Sequence, residues 1–169
     1  MASPIQEHLE KTNKEYASNF TQGHLALPPA KKYLILTCMD ARIDPASAFG
    51  ITLGDAHVIR NAGASARDAL RSLIISQQLL GTREIILIKH TGCGMSTFKD
   101  EDAHAVVKKN VGDEAAKSIE DLKFLAFPDL EQGVRDDLEF LKRHAAIPEE
   151  ITLSGWVYEV ESGKVRRVE

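Results

Sequence analysis

The stretch Leu34-Ile35-Leu36-Thr37-Cys38-Met39-Asp40-Ala41-Arg42 runs an apolar segment into a thiol, then sets an acid and a base at the next alternate positions. Tyr33 to Cys38 is too short for a helix and has no polar face, so it reads as a strand buried on both sides. Glu84-Ile85-Ile86-Leu87-Ile88-Lys89-His90 repeats the pattern, a nearly unbroken apolar run that also ends in a potential ligand. His57 to Asn61 reads as another strand, and Ile151 to Val160 as a last long one. Ser162-Gly163 then turns the chain into a short closing edge over 164–168.

Helical patterns lie between these strands. Asp44-Pro45 opens a short helix through Phe49. Ala66, Ala69, Leu70, Leu73, Ile74 and Leu80 mark one face of a helix beginning at Ser65. Ser65 and Asp68 suit its N-terminal cap, and Gly81 its C-terminal cap. Residues 100–144 read as helical in pieces, with segments at Asp113–Leu122 and Leu130–His144 separated by Pro128. Residues 5–20 carry Ile5, Leu9, Tyr16 and Phe20 at uneven helical spacing, and Pro28-Pro29 separates them from the first strand. Such an arm packs weakly on its own domain and suits a partner subunit.

Buried strands alternating with helices predict an α/β domain around a mostly parallel sheet. A chain of 169 residues suits a single such domain: an arm over 1–30 and a core over 31–169. With 43% hydrophobic and 27% charged residues and a net charge of −4, nothing calls for nucleic acid or a membrane as partner. The polar N-terminus lacks the apolar stretch of a secretory signal. The reading is therefore cytoplasmic, where the two cysteines, Cys38 and Cys93, would be thiols rather than a disulfide.

Ligands in parallel sheets bind beyond the carboxyl ends of the strands. Cys38 and His90 both stand there, and His90-Thr91-Gly92-Cys93 adds a second thiol. Cys38, His90 and Cys93 form a Cys2His set, suited to one Zn2+ per subunit with a fourth position left open. Asp40 can pair with Arg42 two residues on, stay ionised, and accept a proton from a water activated by that metal. Arg42 then clamps Asp40 away from the metal. Gly92 and Gly94 permit the tight return of Cys93, while Asn61 and Gly63 read as shaping a strand-to-helix turn. His8, His24, His57, His104 and His144 read as solvated or packing residues.

Cys38-x-Asp40-x-Arg42, with His90-x-x-Cys93 about fifty residues later, resembles the β-class carbonic anhydrases. Arg60-Asn61-Ala62-Gly63 is similar to a segment that family carries between the two motifs. The likeness is strongest over residues 33–95, and the Met-Asp-Ala-Arg and Thr-Gly-Cys-Gly-Met variants resemble a short-chain branch that also holds hydrolases of carbonyl sulfide and carbon disulfide. The resemblance implies zinc on Cys38, His90 and Cys93, with Asp40 and Arg42 as the catalytic dyad. It implies a four-stranded parallel core in the order 2-1-3-4 with a C-terminal edge strand, and a homodimer or homotetramer embraced by the arm. The implied reaction is hydration of CO2 to bicarbonate by zinc-bound hydroxide.

One feature departs from the family. Many members carry a glutamine shortly before the first strand, but residues 27–32 read Leu-Pro-Pro-Ala-Lys-Lys, with Gln22 the nearest upstream. A less polar pocket would suit carbonyl sulfide, another small linear substrate, and makes its hydrolysis the alternative. A non-catalytic zinc-stabilised binding module is a third reading, and it predicts a closed fourth position. A cysteine phosphatase needs a longer Cys-to-Arg spacing, and a thiol redox enzyme a Cys-x-x-Cys pair.

Overall fold

The computed structural model describes residues 2–169. Its centre is a five-stranded sheet in the order β2-β1-β3-β4-β5. The strands are β1 (Tyr33–Cys38), β2 (Ala56–Asn61), β3 (Glu84–His90), β4 (Thr152–Tyr158) and β5 (Val165–Arg167). The first four run parallel, and β5 pairs antiparallel with β4. The expected order and closing edge are therefore present. β1 and β3 are flanked on both sides and almost wholly buried, which is why their sequences are apolar runs. β2 lies at an edge and alternates in exposure.

The helices are α1 (Pro4–Ser18), α2 (Pro45–Phe49), α3 (Ala66–Gln78), α4 (Asp100–Val111), α5 (Asp113–Ser118) and α6 (Leu130–Arg143). Ser65 caps α3 by accepting from the Asp68 amide, as its position predicts. The C-terminal cap is Leu79, however, and Gly81 lies two residues beyond, in a left-handed turn into β3. α5 stops at Ser118, short of the expected Leu122. The chain then turns, and the Asp100 carboxylate collects the amides of Phe124, Leu125 and Ala126.

The sheet separates two apolar layers. Leu34, Leu36, Ile85 and Leu87 pack with α3 and α6 residues including Leu73, Val134, Leu138 and Leu141. The opposite layer gathers Ile35, Ile43, Ile88 and Tyr158 with Phe49 and Ile51, and Cys38 and Cys93 belong to it. α1 buries none of its residues. Among the described residues, no helix is long and apolar enough to cross a membrane.

Candidate metal centre

β1 leads to β2 on one side, while β3 lies on its other side. The chain therefore diverges at the carboxyl ends of β1 and β3, which opens a crevice there. Cys38 is the last residue of β1 and His90 the last of β3. The loop after His90 turns at Gly92, whose φ of 60° suits glycine, and returns Cys93 to the crevice. The ligand atoms of Cys38, His90 and Cys93 lie within 4.8 Å of one another. The residues are 4%, 1% and 3% exposed. The two sulfurs are 4.0 Å apart and remain free thiols.

The imidazole is oriented for ligation. Its Nδ1–H donates to the Thr91 carbonyl at 2.9 Å, and a carbonyl only accepts, so in the neutral imidazole, the form that binds a metal, Nε2 carries the lone pair. Nε2 is buried without a hydrogen-bond partner. A buried orphan acceptor beside two thiols fits a thiophilic dication as the missing partner. The Cys93 hydrogen bond draws the Cys38 thiol far down, while that contact and burial drive Cys93 up. Burial pushes His90 down, but the adjoining Cys38 sulfur outweighs it and leaves the imidazole above its ordinary range.

Asp40 and Arg42 meet as their spacing predicts. The Arg42 backbone N–H and Nε–H both donate to Asp40 Oδ1 at 2.9 Å, and Nη2–H donates to Oδ2 at 2.8 Å. Nη2–H also donates to the Gly92 carbonyl at 3.0 Å, tying the dyad to the Cys93 loop. The guanidinium and the Arg42 amide hold the Asp40 carboxyl well below the usual carboxylate range. Oδ2 lies 3.7 Å from His90 Nε2, so the acid stands beside the ligand cluster while Arg42 occupies both its oxygens.

Three supports escaped the sequence reading. Arg60 donates to the carbonyls of Cys38 at 3.0 Å and Asp40 at 2.7 Å, bracing the backbone between ligand and acid. Lys89, on an otherwise apolar strand, is buried against Asp137 at 2.8 Å. Its Nζ also donates to the Gly63 carbonyl at 2.7 Å and lies 4.5 Å from the centre of the Phe127 ring. Thr91 bonds to the turn after β4. Asn61 meets expectation: its amide exchanges two hydrogen bonds with the Ser65 backbone and shapes the turn into α3. His57 bonds Ser76 and His104 the Leu122 carbonyl, so both have packing roles.

Residues 33–165 match the family described as carbonic anhydrase. The chain is 43% identical over 157 residues to Beta-carbonic anhydrase 1 of Mycobacterium tuberculosis, spanning 92% of this chain and 93% of that protein. It is 37% identical over 177 residues to carbon disulfide hydrolase of Saccharolobus solfataricus, spanning 93% and 85%. The solved carbonic anhydrase from Glaciozyma antarctica superposes with a TM-score of 0.94 at 47% identity, covering 99% of this chain and 100% of that one. The carbonic anhydrase from Streptococcus mutans gives 0.91 at 40% identity, with full coverage of both.

Proposed function

This chain belongs to the β-class carbonic anhydrase family, and we propose that it hydrates CO2 to bicarbonate and a proton with a zinc ion held by Cys38, His90 and Cys93. The observation that carries this reading is the buried Cys-His-Cys cluster, with its orphaned imidazole nitrogen, next to a carboxylate gripped on both oxygens. Zinc in such a site supplies a Lewis acid that brings water deprotonation down to about pH 7.

The remaining steps fall to the chain's own residues. Cys38 and Cys93 contribute negative charge and bury the cation. His90 is fixed in one tautomer by Thr91, so Nε2 faces inward. Asp40 is ionised at neutral pH and can only accept, so Oδ2 would accept a hydrogen bond from the attacking oxygen and turn its lone pair toward the carbon of CO2. Arg42 keeps that carboxylate from turning onto the metal and filling the substrate's place.

A second reading is hydrolysis of carbonyl sulfide to hydrogen sulfide and CO2 by the same attack. It is favoured by the carbon disulfide hydrolase relatives and by the absence of glutamine in residues 27–32. Purified protein assayed side by side on both gases separates the two. Fast CO2 hydration supports the first reading, and sulfide release with negligible CO2 hydration overturns it.

The assembly we read is a homodimer or homotetramer in which residues 1–30 lie across a second copy of the 31–169 core. Its support is that α1 exposes Ile5, Leu9 and Tyr16 to solvent, which a partner surface would cover. A cytoplasmic setting is consistent with the two free thiols.

A further inference from the structure

We infer that Thr91 and Glu161 form a positioning pair, which holds the His90–Cys93 loop so that two successive carbonyls aim at the imidazole and at the Arg42 guanidinium. The inference rests on the metal-site reading above and assigns a role to Thr91, an unspecified position within His90-x-x-Cys93, and to Glu161, outside both motifs.

The two carbonyls do separate work. That of Thr91 accepts from His90 Nδ1–H at 2.9 Å, and that of Gly92 accepts from Arg42 Nη2–H at 3.0 Å. A small rotation of this loop would misdirect a metal ligand and loosen the dyad together. The backbone supplies one restraint, from the Thr91 N–H to the Tyr158 carbonyl at 3.0 Å. That bond lies at one end of the loop.

The Thr91 side chain adds two more restraints. Its Oγ1 accepts from the Val160 amide at 3.0 Å and donates to Glu161 Oε2 at 2.8 Å. Every polar atom of Thr91 therefore has a partner, and three of its four hydrogen bonds tie it to the chain leaving β4. Glu161 is exposed, so its carboxylate is dispensable for folding in a way the buried groups are not. A carboxylate acceptor also fixes the direction of the hydroxyl hydrogen, leaving the Oγ1 lone pairs to the Val160 amide. Outer partners of this kind set the aim of a metal-bound histidine.

The test compares Thr91→Val, Thr91→Ser, Glu161→Ala and Glu161→Gln with the unsubstituted chain, using Co2+ and Zn2+ as probes. Metal affinity and the cobalt absorption spectrum are read beside circular dichroism. Thr91→Val and Glu161→Ala are each expected to weaken metal binding about tenfold and to alter the cobalt bands. Thr91→Ser and Glu161→Gln keep the hydroxyl and an acceptor oxygen, so they should restore both to within about twofold. Combining Thr91→Val with Glu161→Ala should cost no more than Thr91→Val alone. Normal cobalt uptake by the parent with unchanged affinity and spectrum in Thr91→Val and Glu161→Ala overturns the pair's role and leaves the metal site standing. No cobalt or zinc uptake by the parent overturns both.

Discussion

Replacing Asp137 with alanine strands the ammonium of Lys89, a residue only 2% exposed and 2.8 Å from the carboxylate it would lose. Removing one partner of a buried ion pair costs about 3–5 kcal/mol, because the other charge is left behind without compensation. Three contacts draw the figure to the low end here, one of them the Ala64 carbonyl at 3.3 Å from Nζ. Lys89 Nζ keeps the Gly63 carbonyl at 2.7 Å, and the Phe127 ring stays 4.5 Å away. The expected loss is about 3 kcal/mol, and for a chain of this size that lowers Tm by roughly 6–12 °C.

Lys89→Met should cost a similar amount, since it leaves Asp137 with only the Ala66 amide at 3.2 Å and deprives the Gly63 carbonyl of its donor. The double variant buries neither charge. It should therefore cost less than the sum of the two single variants, by about 1.5–3 kcal/mol. Urea unfolding at fixed, saturating zinc measures all four proteins, because any difference in metal occupancy would shift the midpoints. An Asp137→Ala protein within about 1 kcal/mol of the parent, or a double variant equal to the sum, would refute the reasoning. The result bears on function, since this pair fixes the turn just beyond Arg60 and Asn61.

Arg42→Ala should keep its zinc yet lose nearly all CO2 hydration, because Asp40 is freed 3.7 Å from the ligating nitrogen; steady-state rates with metal analysis check it, and a fully active variant contradicts the clamp. Gly63→Ala would place a Cβ 2.9 Å from both Met95 Cγ and Phe127 Cε1 at a φ of 71°. Strain and crowding should together cost about 1–3 kcal/mol in denaturant unfolding, and an unchanged midpoint would argue against that packing. Burial raises the Asp100 carboxyl, but the three amides it accepts outweigh this and lower it. A depressed folded value means that its stabilisation is complete above the ordinary aspartate range near pH 4 and is lost as pH falls below it. Asp100→Asn should therefore flatten the loss of stability between about pH 5 and pH 3, and identical acid profiles would count against it.

The central strands were legible in the sequence because their burial is two-sided. β1 and β3 are covered on both faces, so their composition alone marks them as central strands. The ligands were legible because their chemistry is unusual and because Cys38 and His90 each end such a strand. α4 gave a weaker signal because it buries none of its residues and so needs no apolar stripe. Lys89 was hidden for the opposite reason. A lone lysine in an apolar run gives no sign of its partner, and Asp137 lies on α6, far along the chain. Arg60 and Thr91 act through backbone carbonyls, which any sequence supplies. Spacing shows which side chains can meet a metal, whereas the groups that aim them depend on how the loops close.

The most direct measurement is metal analysis of the freshly purified, unsupplemented protein beside its Cys38→Ser variant. One zinc per chain in the parent and little in the variant is the predicted result. A parent devoid of metal, or one in which Cys38 and Cys93 are joined as a disulfide, would contradict the account.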